Sequence, residues 1–75
     1  MMRVEVDSSL LRWVDYFPDE RRLQLGFRSG EVWDYFDVPD STYHGLLDAE
    51  SKGGYFNRQI RRRFRDQLVR QFNAT

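Results

Sequence analysis

The 75-residue chain has no cysteine and one histidine. Without thiols there is no disulfide to staple a small core, no thiolate nucleophile and no cysteine zinc site. A lone His44 cannot build a histidine-rich metal cluster, and its place in a helical stretch reads as surface. Ser8 and Ser9 lack an evident base, the carboxylates are scattered through turns and strand ends, and Gly53-Gly54 is too short a glycine signal for a nucleotide loop. The sequence is therefore read as a binding module and not an enzyme, with no metal and no cofactor. No apolar run approaches the ~20 residues needed to cross a bilayer. The opening Met1-Met2-Arg3 leads into charged residues and not into the apolar stretch of a signal peptide. These absences point to a cytoplasmic protein without a membrane partner. Repeats, low-complexity segments and linkers are missing too, so residues 1–75 are read as one domain. A chain this short buries only about 60% of its extended surface on folding, and its stability is expected to be marginal.

Proline is scarce, and its two occurrences mark boundaries. Pro18, in Pro18-Asp19-Glu20, suits the second position of a type I turn and divides two strand-like runs. Pro39 follows Val38 and is tolerated in the first turn of a helix, where its missing N–H would be unpaired anyway. Before Pro18, Arg3-Val4-Glu5-Val6 reads as a short edge strand and Leu10–Phe17 as a longer one. After it, Leu23, Leu25 and Phe27 alternate with polar residues, the period of a half-buried strand. A three-residue loop Arg28-Ser29-Gly30, with Gly30 left-handed, sets Leu25 beside Trp33 and Leu23 beside Tyr35. A four-residue loop from Pro18 to Arg21 adds Val14 and Tyr16 to the same face and leaves Leu11 and Trp13 on the other. Tyr43, Leu46 and Leu47 form the inner stripe of a first helix ending near Ala49. Ser51 is a candidate N-cap for a second helix, whose apolar stripe Phe56, Ile60, Phe64 and Leu68 should lie on the sheet over Trp33 and Tyr35. The expected fold is α+β, a small antiparallel β-sheet of three or four strands followed by two α-helices packed on one face.

The charge balance of twelve basic and twelve acidic residues conceals a split. Residues 1–51 carry a net charge of −6 and residues 52–75 a net charge of +6. On a helix, Arg58, Arg61, Arg62 and Arg65 share the face turned to solvent, with Lys52 and the N–H groups of Gly53 and Gly54 at its start. Guanidinium forks at that density suit phosphate oxygens, and Asn57 has donors and acceptors for a base. This makes RNA a candidate partner. The bland alternative is a solvated helix face whose arginines pair with the acids of the first helix. A second functional reading gives Leu11 and Trp13 an exposed apolar sheet face, suited to a homodimer or another protein.

Asp7-Ser8-Ser9, Val14 with Tyr16, Leu23-Gln24-Leu25-Gly26-Phe27, Gly30, Trp33-Asp34-Tyr35, Val38-Pro39 and the run Ser51-Lys52-Gly53-Gly54-Tyr55-Phe56-Asn57-Arg58-Gln59-Ile60-Arg61 together resemble the KTSC domain. The family is named for its occurrence at the C-terminus of some lysyl-tRNA synthetases and is also found as small stand-alone bacterial proteins. The resemblance spans about residues 4–64, with 65–75 read as a helix extension and frayed tail. Trp33 stands where the family has the first tyrosine of a Tyr-x-Tyr pair. The resemblance implies a compact sheet-plus-helix module of no established activity, for which the synthetase fusions suggest RNA binding.

Overall fold

The structure, a computed structural model, describes residues 3–71. Strands β1 (Val4–Glu5), β2 (Leu11–Phe17), β3 (Arg22–Phe27), β4 (Glu31–Tyr35) and β5 (Asp66–Gln71) form one antiparallel sheet in sequential order. Helices α1 (Asp40–Asp48) and α2 (Lys52–Tyr55) and a π-helical turn (Phe56–Ile60) separate β4 from β5. The class is the expected α+β, with a fifth strand beyond the three or four anticipated. Among the described residues no helix is long and apolar enough to cross a membrane.

The two hairpins follow the turn chemistry. Phe17 pairs with Arg22 across the loop opened by Pro18, and Arg21 closes that loop with a φ of 50°. Gly30 takes a φ of 100° and donates its N–H to the Phe27 carbonyl at 2.9 Å. Leu25 faces Trp33 and Leu23 faces Tyr35, while Val14 and Tyr16 face Leu25 and Leu23. One face thus collects the apolar residues, as the period of two requires.

That period fails at one place. Leu11 pairs with Phe27 and Trp13 with Gly26, so Arg12 is an extra residue in a bulge. The bulge turns Leu11 inward, where it is fully buried, and the expectation that it faces outward beside Trp13 is corrected. Trp13 keeps the outer face but is not open. Its indole lies where a Cβ on Gly26 would sit 2.2 Å away, and the Arg3 guanidinium stacks 3.7 Å from its ring centroid.

Helix α1 begins after Pro39 and buries Leu46, with Tyr43 stacked on Tyr16 at a centroid distance of 4.7 Å. The buried Tyr16 hydroxyl donates to the Val38 carbonyl at 2.6 Å, fixing the step from sheet to helix. Tyr16→Phe leaves that carbonyl without its partner, and a loss of about 1–3 kcal/mol is expected. Thermal melting checks it, at about 4–8 °C per kcal/mol for a domain of this size.

Ser51 is the N-cap of α2, accepting from the Gly54 N–H at 3.1 Å. The long helix expected beyond it is not formed. Phe56 and Ile60 are buried as anticipated, but the Arg61 N–H bonds back to the Phe56 carbonyl in π geometry at 2.8 Å, and Arg62 turns left-handed at a φ of 64°. Phe64 remains half-buried against the core, whereas Leu68 lies on β5 opposite Trp33 and is 40% exposed. The reading of residues from 65 onward as a helix extension is therefore corrected for Asp66–Gln71; the rest of that tail lies outside the described residues. Gln67, Leu68 and Arg70 are good helix formers, but β4 offers a full edge of unpaired N–H and C=O groups, and pairing with it satisfies them.

Candidate nucleic-acid interface

The end of the π-helical turn, the start of β5 and the hairpin between β3 and β4 enclose a groove of about 510 Å³, within the ~300–1,000 Å³ usual for small-molecule sites. Its apolar lining is mostly aromatic, with Trp33 and Tyr35 from β4, Phe27 from β3 and Phe56 from the π-helical turn beside Leu10. Phe56 meets Phe27 and Tyr35 edge to face at 5.4 and 5.7 Å, which holds the helical segment against the sheet. Arg61, Arg62 and Asn57 line the groove, with Glu31 and Asp66 as its carboxylates.

Glu31 accepts from the Trp33 indole N–H at 2.9 Å and from the Gln71 amide at 3.5 Å, so it orients the indole. Burial pushes the Tyr35 phenol well above its ordinary pKa; the negative charge of Asp66 adds to this and the Arg61 guanidinium opposes it. Tyr35 is thus a neutral hydroxyl throughout the physiological range. Among the described residues Arg22 forms ion pairs with Glu20 and Asp34, and His44 Nε2 lies 3.2 Å from Asp40 Oδ2. Arg58, Arg61, Arg62, Arg63 and Arg65 make no ion pair among the described residues, and all five are exposed.

Sequence reasoning placed Arg58, Arg61, Arg62 and Arg65 on one helix face; they occupy a π-helical turn and the loop after it instead. Asn57, Arg61 and Arg62 are brought together in the groove. Arg58 is exposed but its guanidinium turns back toward Gly54, and its carbonyl accepts from Arg63 Nε at 2.7 Å. Arg65 lies over the Phe36 ring at 4.3 Å. Lys52 is not part of the groove: its Nζ donates to the Ala49 carbonyl at 3.0 Å and caps the end of α1. The outward apolar face expected of Leu11 and Trp13 is not formed, and the large apolar side chains left exposed among the described residues are Leu68 and Val69.

Two features were missed from sequence. Trp33 was expected beneath the second helix, yet with that helix ending at Ile60 it is only half-buried and forms a wall of the groove. Asp66, the one acid among residues 52–75, carries no mark in the sequence of facing an aromatic pocket. A second depression, of about 620 Å³, lies on the opposite sheet face, where Arg12, Arg28 and Arg70 surround Trp13. Its aromatic ring is already covered by Arg3, and Arg28 Nε is engaged by the Ser8 carbonyl.

Comparison with known proteins gives a consistent set of relatives. The family model for the KTSC domain matches residues 7–64. An uncharacterized protein of Stutzerimonas stutzeri is 40% identical over 57 residues, covering 76% of this chain and 80% of that protein. A lysine–tRNA ligase of Nostoc punctiforme is 36% identical over 59 residues, which is 79% of this chain but 10% of the ligase. The crystal structure of a KTSC domain protein from Yersinia pestis superposes with a TM-score of 0.89 at 30% identity, covering 92% of this chain and 97% of that one.

Proposed function

Since the chain belongs to the KTSC domain family, we propose that it works as a non-catalytic module binding single-stranded RNA in the groove between the π-helical turn and the β3–β4 hairpin. The observation that carries this reading is the meeting of a half-buried aromatic wall, Trp33, with the guanidinium groups of Arg61 and Arg62, which make no ion pair among the described residues. Aromatic faces stack on unpaired bases whatever their identity, and arginines beside them hold the phosphate backbone; together these are the working parts of single-strand binding surfaces. A duplex hides its base faces and satisfies only the second of these requirements. Support from a relative is consistent in kind, since a lysine–tRNA ligase acts on an RNA and contains a segment similar to this chain.

Fluorescence anisotropy with labelled single-stranded RNA and tRNA, at about 50 and 200 mM salt, tests the reading. Single-strand binding weakens with a slope of about −0.7 per phosphate contact, so affinity falls about 7-fold if Arg61 and Arg62 alone engage and about 50-fold if Arg58 and Arg65 join them. The size of the drop thereby counts the contacts. Affinity indifferent to salt, or no binding at either concentration, removes the proposal.

A further inference from the structure

Asp66 is out of place in a site that serves phosphate alone. It lines the groove with Arg61 and Arg62, close enough to Tyr35 for its charge to act on the phenol, and it forms no ion pair among the described residues. A free carboxylate there repels a phosphate from the aromatic wall while the arginines draw one to the rim. The second carboxylate, Glu31, is already spent on the Trp33 indole and Gln71. What fits between is an uncharged planar group that stacks on Trp33 and offers N–H donors to an acceptor-only oxygen pair.

Resting on the RNA-binding reading above, we propose that Asp66 is a base-selecting residue and that the groove prefers guanine. Guanine alone among the four RNA bases presents two adjacent donors on its Watson–Crick edge, N1–H and the N2 amino group, and one carboxylate accepts both. Adenine and cytosine each offer one amino donor beside a ring acceptor. Uracil offers one imino donor between two carbonyls, which the carboxylate repels. The order of affinity is guanine first, adenine and cytosine next, and uracil last.

The test uses oligouridine of nine nucleotides against the same length with one central guanosine, adenosine or cytidine, titrated into the full chain and into Asp66→Asn. The wild type binds the guanosine oligonucleotide about tenfold more tightly than oligouridine, the value of one charge-assisted hydrogen bond. Asp66→Asn narrows that ratio to about twofold or less and retains the salt dependence; Asp66→Ala, as a second variant, does the same. Base-blind binding by the wild type, or an unchanged ranking in both variants, overturns the inference and leaves salt-dependent RNA binding standing. Failure of every oligonucleotide to bind at low salt overturns this inference together with the reading beneath it.

Discussion

Phe56→Ala lowers the unfolding free energy by about 3–5 kcal/mol, the usual cost of deleting a buried phenylalanine ring. Phe56 is 6% exposed and lies edge to face with Phe27 and Tyr35, so removing it opens a cavity between sheet and helical segment and forfeits two aromatic contacts. A domain of this size commonly has only about 5–15 kcal/mol in hand, and with no cysteine nothing covalent offsets the loss. Urea denaturation of the alanine variant measures the effect, with Phe56→Leu as a volume-sparing control that retains most of the stability. Equal denaturation midpoints for wild type and alanine variant would contradict the placement of the helical segment over the sheet. Because the same ring forms part of the groove, the alanine variant loses the binding surface along with the fold.

Reversing the two groove charges produces the largest expected change in binding. Arg61→Glu combined with Arg62→Glu removes two charge-assisted contacts worth about 1.5–3 kcal/mol each, a loss of about 100-fold or more in RNA affinity. It also flattens the salt dependence by about two contacts' worth. Both side chains are exposed and free of ion pairs among the described residues, so the melting temperature stays near that of the wild type. Arg62 provides a sharper control. Its left-handed backbone, at a φ of 64°, is costly for any residue with a Cβ. Arg62→Gly therefore keeps or raises stability while weakening RNA binding, a combination that a purely structural role for this arginine does not produce. Unaltered affinity in the double charge reversal contradicts the assignment of the groove.

The sheet was legible because its constraints are local. Pro18 and Gly30 each impose a loop of fixed length, and the loops set the register that gathers Val14, Tyr16, Leu23, Leu25, Trp33 and Tyr35 on one face. Helix α1 was legible from Pro39 and the spacing of Tyr43, Leu46 and Leu47. Leu11 was not, because a bulge at Arg12 breaks the alternation and leaves no mark in a run of mixed aromatic and branched residues. The course of the chain after Ile60 was not legible either. The spacing Phe56, Ile60, Phe64 and Leu68 suits a helix, and a strand over Asp66–Gln71 becomes the better state only because β4 has an edge to complete. That one error moved the candidate site. It dispersed Arg58, Arg65 and Lys52, kept Asn57, Arg61 and Arg62 together, and uncovered Trp33 and Asp66, whose part in a groove depends on strand partners far along the chain, Leu68 for Trp33 and Tyr35 for Asp66. The basic character of the segment was plain from composition; its shape was a tertiary property.

The two indoles provide the most direct measurement, because they sit on opposite sheet faces and each reports by one side-chain N–H resonance. In a titration of single-stranded RNA into isotope-labelled protein, the Trp33 indole signal and the backbone amides of Asn57 and Arg61–Asp66 shift together and saturate, while Trp13, shielded by Arg3 and Gly26, stays in place. Movement of Trp13 with the amides around Arg12, Arg28 and Arg70, and a stationary Trp33, would place any RNA contact on the other face and contradict the account.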